Sequence, residues 1–260
     1  MKKIVKIISA ILVLVLSTSL FGCKKNKPVA PAGTPTIIPA VTAPPPPHVT
    51  EAINSLLHGN QVSFGTYEQD GDTSNGKEPI EWFVSETWVS NNKYIVMLIS
   101  KKTLFVSQYN ETNDDVTWQS CSLRKYLNND FVKDAFTIDE QTLLFENEIQ
   151  TLPNPNATGV SSDFTTKDRV FVPDYGDYNE FDMFIEDRAD LTAAAKKQAE
   201  GIDKDKYIDN SWWMRTEGQD LKHALTFNNT GEAVFEDGDP VDSYCGVRVA
   251  IWLAIVPSEK

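Results

Sequence analysis

Hydrophobic and polar residues alternate with strand periodicity at the start of the region that follows residue 60. Val62 to Tyr67 has this pattern. Two further runs rich in β-branched and aromatic residues, Ile80 to Ser90 and Tyr94 to Ser100, are separated by Asn91-Asn92. Two turn-forming residues between such runs are typical of a β-hairpin. The sequence therefore predicts that the domain begins with antiparallel strands.

The C-terminal part of the chain returns to the same pattern. Ala224 to Phe227 and Ala233 to Phe235 flank the turn signal Asn228 to Gly231, and Gly246 to Val256 is a further apolar run. Arg169 to Val172 also has the composition of a strand. We expect strands at both ends of the domain, and we expect the two ends to share a sheet.

Helices are predicted between these groups of strands. Ser120 to Leu127 places its apolar residues on one face and is expected to end at Asn128-Asn129. Thr137 and Glu140 have the spacing of a capping box at the start of a second short helix.

A third helix is predicted over the alanine-rich stretch Leu191 to Glu200, with Asp190 as its N-cap and Gly201 at its end. Strands at both ends of the chain with helices between them indicate an α+β fold. We expect a mixed, mainly antiparallel sheet with short helices.

The first 22 residues have the layout of a leader peptide. Three lysines precede an apolar run over residues 7–20, which is shorter than the roughly 20 residues that span a bilayer. The run ends in Leu20-Phe21-Gly22-Cys23, which resembles the lipobox of bacterial lipoproteins. The resemblance implies cleavage before Cys23, a lipid such as palmitate on its thiol, and anchoring to the extracytoplasmic side of the cell membrane. An ordinary secretory signal cut between Ser17 and Gly22 is the alternative.

Residues 23–48 have the composition of a spacer. They contain three lysines close to Cys23 and then a proline-rich stretch that has no charged residue. Proline fixes φ and lacks a backbone donor, so this stretch is expected to be extended and solvated rather than packed. Residues 49–260 remain, and their length is enough for one domain with a substantial core.

The charge of this domain limits its partners. Residues 48–260 hold 18 basic side chains and all 37 acidic ones, which gives a net charge near −19. Binding to a phosphate backbone depends on Lys and Arg contacts. We therefore exclude nucleic acid as a partner and expect cationic partners, metal ions or solubility outside the cell to explain the acidity.

Two cysteines, Cys121 and Cys245, remain in the domain. Export to an oxidising compartment would permit a disulfide between them. A buried free thiol is the alternative, because unpaired cysteine is a common core residue. The sequence leaves both open.

Several ordered blocks resemble an uncharacterised bacterial domain family, a domain of unknown function. The resemblance covers nearly all of residues 61–256. The blocks are Phe64 to Asp70, Asn75 to Trp82, Trp118 to Phe131, Trp212-Trp213-Met214-Arg215 and Gly246 to Trp252. The last two blocks also look distantly like the C-type-lectin-like fold of formylglycine-generating enzymes, so a C-type-lectin-like topology is expected. The chain departs from the family pattern at Val249 and at Thr216-Glu217.

One acidic segment has part of the spacing of a calcium-binding loop. Asp70, Asp72, Ser74 and Glu81 stand at the oxygen-ligand positions of an EF-hand. The glycine needed at the sixth position is replaced by Asn75, and no flanking helices are predicted, so a polar hairpin loop is the alternative. Glu236 to Asp242 is a second acidic turn that could offer oxygens to Ca²⁺ or could be a solvated loop. No other cofactor is implied.

The aromatic residues provide the candidate ligand site. Trp82 and Trp88 are six residues apart in a predicted strand and are therefore expected to face the same side. One ring of Trp212-Trp213 must point away from the other if the segment is extended. We predict a ligand site formed by Trp212, Trp213, Arg215 and Arg248, with core packing and buried ion pairs as the alternative.

Residues for catalysis are few. The sequence contains no Gly-x-Ser-x-Gly, no His-Glu-x-x-His and no phosphate-binding loop. A nucleophile formed by Cys121 or Cys245 with His223 stays open. The leading interpretation is a surface-anchored lipoprotein whose domain binds a glycan or protein ligand without catalysis. A hydrolase or modifying enzyme that acts on envelope material is the alternative, and an assembly or spacer element is the third.

Overall fold

The computed structural model describes residues 61–157, 164–174, 176–177, 189–228 and 233–256. These residues lie in one compact unit, which spans Val41–Lys260. The predicted leader and spacer, together with residues 49–60 of the predicted domain, lie outside the described ranges. Within those ranges, no helix combines the length and the apolar character needed to cross a bilayer.

Strands and short helices alternate in the following order. The strands are β1 (Gln61–Tyr67), β2 (Glu78–Ser90), β3 (Lys93–Ser100), β4 (Phe105–Gln108), β5 (Asn147–Thr151), β6 (Phe164–Asp168), β7 (Val170–Phe171), β8 (Tyr207–Glu217), β9 (His223–Asn228), β10 (Ala233–Pro240), β11 (Tyr244–Val247) and β12 (Ala250–Ile255). The α-helices are α1 (Ser122–Tyr126), α2 (Val132–Ala135), α3 (Ile138–Gln141) and α4 (Ala193–Glu200), and a π-helical turn, Leu127–Phe131, joins α1 to α2.

The strands form two five-stranded sheets and one hairpin. The first sheet has the order β1-β2-β3-β12-β7, and all of its neighbours are antiparallel. The second sheet has the order β10-β9-β8-β11-β4, with β8 and β11 parallel and the other neighbours antiparallel. β5 pairs with β6. The predicted α+β class and mainly antiparallel pairing are confirmed. Strands from the two ends of the domain also share a sheet as expected, because β1 and β12 both belong to the first sheet. The C-type-lectin-like topology stays a prediction.

The chain passes from the second sheet to the first between β11 and β12, where the sequence predicted one continuous run. Gly246 lies at a close crossing, since a Cβ there would be 2.6 Å from Thr103 Cγ2 and 2.7 Å from the Ser211 carbonyl oxygen. Two residues further on, Arg248 Nε donates to the Ser100 carbonyl and Val249 N donates to Ser100 Oγ. These contacts explain why the run is divided: its first half pairs with β4 and β8, and its second half with β3 and β7.

The predicted hairpin is confirmed, but the prediction for its tryptophans is wrong. Trp82 pairs with Ser100, whereas Trp88 pairs with Ile95, and the register shifts between Val84 and Glu86. One extra residue in β2 is a β-bulge, and it reverses the alternation of faces beyond it. Trp82 is therefore buried in the core, and Trp88 faces the opposite side of the sheet and is 40% exposed.

Two predicted helix boundaries also change. The first helix does not end at Asn128-Asn129 but continues through the π-helical turn into α2. Asn128 fits there because its amide nitrogen donates to the Val170 carbonyl and its oxygen accepts from Arg169 N. The N-cap of α4 is Thr192 rather than Asp190, since Thr192 Oγ1 accepts from the amide of Ala195.

The capping box of α3 is confirmed, and its glutamate also binds a strand. Glu140 Oε2 accepts from the amide of Thr137, and Thr137 Oγ1 accepts from the amide of Glu140. Glu140 Oε1 accepts from the amide of Gly65 in β1. The helix is thereby tied to the first sheet through one buried carboxylate.

Candidate ligand-binding site

Two of the four predicted ligand residues, Trp212 and Arg248, lie together on the face of the second sheet opposite to Trp213. The Arg248 guanidinium carbon is 5.5 Å from the centre of the Trp212 ring. On the same face, Trp212 stacks on Phe227 with ring centres 4.7 Å apart. Both Trp212 and Arg248 are nevertheless buried, so a ligand would have to displace existing packing to reach them.

Trp213 faces the main core on the other side of the same sheet. Its side chain is fully buried, and its indole N–H donates to the Ser107 carbonyl over 2.9 Å. Tyr109 contacts the ring edge to face at 5.6 Å. The structure thus separates the adjacent pair, as an extended segment requires, and gives each ring partners within the protein.

Arg215, the fourth residue, is the centre of a buried ion cluster. Its NH2 group lies 3.0 Å from Asp174 Oδ2 and its NH1 group lies 2.8 Å from Asp177 Oδ2. NH1 also donates to the Val172 carbonyl, and the guanidinium lies over the Phe171 ring at 5.2 Å. The position was interpreted either as a ligand contact or as a buried partner of carboxylates, and the contacts are those of the second interpretation.

The two aspartates of this cluster are bound to each other as well as to Arg215. Asp174 N donates to Asp177 Oδ2, and Asp177 N donates to Asp174 Oδ1. Asp174 is almost fully buried and Asp177 is partly exposed. Burial raises the pKa of Asp177 to about 6, against the Arg215 guanidinium, which lowers it. The Asp177 carboxyl therefore ionises in a pH range in which most other carboxyl groups are already ionised.

The acidic loop between β1 and β2 brings together three carboxylates, Glu68, Asp70 and Glu78, whose oxygens lie within 4.8 Å of one another. This set differs from the predicted calcium ligands, of which it contains Asp70 alone. Each carboxylate accepts a backbone N–H: Glu78 from Gln69, Glu68 from Gly71, and Asp70 from Asp72. These bonds hold the loop closed.

The remaining predicted calcium ligands are arranged differently. Asp72 Oδ1 accepts from both N and Oγ of Ser74. Glu81 belongs to β2 and pairs with Lys101 at 3.1 Å. The loop has the hydrogen bonding of a polar hairpin loop, which was the alternative to an EF-hand.

The second acidic turn, predicted over Glu236 to Asp242, is divided between the end of β10 and the residues that follow it. Asp239 accepts from Thr226 Oγ1 and Asp242 pairs with Lys206. The side chain of Glu236 lies outside the described part of the structure. Asp239 and Asp242 therefore bind different partners rather than one another.

Cys121 and Cys245 are both free thiols in the structure, and both are buried. Of the two states that the sequence left open, the structure therefore has the buried free thiols and not the disulfide. Cys121 Sγ caps α1 by accepting from the amide of Arg124 and donates to the Trp118 carbonyl. Burial raises the pKa of Cys121 to about 12 and raises that of Cys245 well above its usual value. Because the thiolate is the nucleophile, neither group is activated.

His223 is not placed beside either thiol. It begins β9 and lies next to the Ala224–Glu217 pair at one end of β8, whereas Cys245 lies in β11 between the positions that pair with Tyr207 and Trp212. His223 Nδ1 is 2.6 Å from Asp220 Oδ1. The cysteine–histidine nucleophile that the sequence left open is therefore not assembled by these residues.

Among the described aromatic residues, the most exposed is Trp88, at the turn end of the first sheet. We define the hairpin patch as Trp88, Val89, Trp252 and Val256. Trp88 contacts Trp252 edge to face, with ring centres 4.8 Å apart. Val89 is 66% exposed and Val256 is 47% exposed, whereas Trp252 is buried, with 7% exposed. The Val89 side chain lies on the opposite face of β2 from Trp88, because the two residues are consecutive in the strand. The turn end of β2 and the end of β12 come together here because Tyr94 pairs with both Val89 and Ile255.

The sequence reasoning missed the hairpin patch because it placed Trp88 on the core side of β2. The bulge at Ser85 reverses that assignment, and no glycine marks it in the sequence. All six tryptophans lie among the described residues, and Trp88 is the exposed one. The position of Trp88 three residues before the predicted Asn91-Asn92 turn was the signal that could have shown it near a sheet end.

Residues 94–255 match the family described as a domain of unknown function (DUF6273). No curated protein and no solved structure matches the chain. The matched residues run from β3 to β12, so they include Arg215, both cysteines and Trp252, while Trp88 and Val89 precede them. The predicted resemblance to an uncharacterised domain family is confirmed over this span, which is more than half of the 260 residues. The chain belongs to the DUF6273 family.

Proposed function

We propose that this protein is a lipoprotein, held to the extracytoplasmic side of the cell membrane through lipid on Cys23, and that its domain binds a glycan or protein ligand without catalysis. The lipobox-like Leu20-Phe21-Gly22-Cys23 and the proline-rich spacer after it support the anchoring. The acidic composition supports a ligand other than nucleic acid. The likeness to the C-type-lectin-like fold is part of the proposal.

The observation that carries the binding function is the hairpin patch. Scattered exposed hydrophobic residues are normal, but a group of them that includes a tryptophan marks an interaction site more often than chance. Trp88 supplies exposed flat apolar area, with the buried Trp252 packed against it. Tryptophan is enriched at binding sites because it buries much area with few rotatable bonds. The proposed ligand site is therefore this patch.

The alternative, an enzyme that acts on envelope material, has less support from the geometry. A thiol mechanism needs an ionised cysteine next to a base. Both thiols are buried with a raised pKa, and His223 pairs with Asp220. The binding function is the one that the described residues favour.

Thermal unfolding in the presence of candidate ligands tests the proposal. Wall glycans, host polysaccharides and peptides would each be added to the purified protein, because a ligand at about 100 times its dissociation constant stabilises the folded state by about 2.7 kcal/mol. A raised midpoint with the wild type, and not with the Trp88→Ala variant, is the expected result. If no glycan or peptide changes the midpoint, the binding function is wrong.

A further inference from the structure

The backbone of β2 is open along one edge next to the hairpin patch. β1 pairs with β2 from Glu78 to Phe83, where Gln61 is the last partner. On the other side, β3 pairs with β2 up to Ser90. Within the described ranges, no strand pairs with the β1 side of β2 beyond Phe83, and the last four residues of β2, from Thr87 to Ser90, are exposed.

The register shows which backbone groups point outward. Asn91 and Asn92 have φ of 51° and 60°, so they form a two-residue turn that makes Ser90 and Lys93 a hydrogen-bonded pair. Hydrogen-bonded and non-hydrogen-bonded pairs alternate along an antiparallel ladder. The backbone N–H and C=O of Trp88 therefore form hydrogen bonds with β3. Those of Thr87 and Val89 point away from β3.

Thr87 and Val89 are exposed, and neither has a hydrogen bond to any described residue on the outer side. An open edge of this kind pairs with another extended chain, because only a polypeptide strand offers N–H and C=O groups at the matching spacing. A saccharide does not repeat that spacing. The Trp88 ring, held in edge-to-face contact with Trp252, flanks the edge and offers an apolar contact to one side chain of an added strand.

We propose that the hairpin patch binds an extended polypeptide segment, which adds to β2 as a strand at Thr87 and Val89. This inference rests on the proposed binding function and specifies its ligand. The net charge near −19 of residues 48–260 makes pairing with a second copy of the domain unfavourable and favours a partner segment in which basic residues outnumber acidic ones.

A proline at position 89 tests strand addition selectively. The N–H of Val89 points outward, so Val89→Pro removes a donor for the ligand without removing a bond to β3. Val89→Ala is the matched control, because it shortens the side chain and keeps the N–H. Peptides selected from a displayed library of random 12-residue sequences against the full-length protein in detergent serve as the probe.

We expect Val89→Pro to weaken binding of the selected peptides at least tenfold, Val89→Ala to leave it within about twofold, and Trp88→Ala to weaken it as well. If Trp88→Ala weakens binding but Val89→Pro does not, the site is right and strand addition is wrong. If neither variant weakens peptide binding, the proposed site is also wrong. Selection of no peptide, or of peptides rich in Asp and Glu, would overturn the inference, and so would a dimer that Val89→Pro dissociates.

Amide hydrogen exchange in the wild-type protein gives a measurement that does not depend on how the proline variant folds. Bound peptide should slow exchange of the Thr87 and Val89 amides at least tenfold and leave that of Trp88, already bonded to β3, nearly unchanged. Equal rates for Thr87 and Val89 with and without the peptide would overturn strand addition.

Discussion

At the scale of single residues, the structure assigns internal roles to most of the side chains that the sequence singled out for chemistry. Arg215 and Trp213 share one face of β8 and are bound within the core, while Trp212 packs on the other face. The sequence could show that these residue types were present, but not which partners they meet. Asp174 and Asp177 lie about 40 positions away in the sequence, and no local pattern connects them to Arg215.

Removal of the Arg215 guanidinium should lower the free energy of unfolding. Arg215→Met leaves Asp174 buried without its charged partner, and breaking a buried ion pair from one side costs about 3–5 kcal/mol. We expect urea unfolding to show a loss of that size. The control is Lys133→Met, whose partner Asp130 is 3.8 Å away on the surface and whose loss should cost less than about 1 kcal/mol. Similar losses in both variants would contradict the buried-cluster account.

Asp177 should make stability depend on pH in an unusual direction. Its pKa is raised to about 6 by burial, whereas the unfolded chain should lose this proton near pH ~4. The folded state therefore binds more protons between these values, and the contribution of this group is present below about pH 4 and is lost as the pH rises through about 6. The free energy of unfolding of the wild type should fall relative to Asp177→Asn over this window. A rise instead would mean that the Arg215 ion pair outweighs burial.

Both thiols of the domain should be unreactive until the protein unfolds. Burial keeps Cys121 and Cys245 protonated and out of reach. A fragment of residues 49–260, which lacks Cys23, should react with a thiol reagent at neither position when native and at both in denaturant. Reaction at neither position in denaturant would indicate a disulfide, and fast reaction of the native protein would restore thiol catalysis as a candidate.

At the scale of secondary-structure elements, local sequence signals predicted the turns and helix caps well. They did not predict where a strand contains a bulge or a helix continues through a π-helical turn. The Asn91-Asn92 turn and the Thr137–Glu140 capping box depend on residues a few positions apart, and both are confirmed. The bulge in β2 and the π-helical turn depend on tertiary contacts. Asn128, for example, was interpreted as a helix end, yet its side chain binds Val170 and Arg169 across a loop.

The turn itself gives a test at this scale. Asn92 has φ of 60°, which glycine adopts freely and which costs a residue with a branched Cβ about 1–2 kcal/mol. Asn92→Val should lower the free energy of unfolding by that amount, while Asn92→Gly should keep it within about 0.5 kcal/mol of the wild type or raise it. Equal stability of the two variants, measured by thermal unfolding, would show that this turn geometry is wrong.

At the scale of the whole molecule, the fold class could be predicted because strand patterns at both ends and helical patterns between them leave few arrangements. The division into two sheets could not be predicted, since it depends on Gly246 passing close to Thr103 and Ser211. The exposed site depends on one bulge in β2, for which the sequence has no distinct signal. Composition, in contrast, limits the partners directly, because net charge does not depend on the fold.

The measurement that tests the central claim most directly compares two exposed hydrophobic positions. Trp88 belongs to the hairpin patch, whereas Ile138, which is 82% exposed, lies on α3. The dissociation constant of the tightest glycan or peptide ligand would be determined for the wild type and for the Trp88→Ala and Ile138→Ala variants, each shown to be folded. We expect Trp88→Ala to weaken binding at least tenfold and Ile138→Ala to leave it unchanged. Equal affinity of all three proteins would contradict the assignment of the hairpin patch as the ligand site.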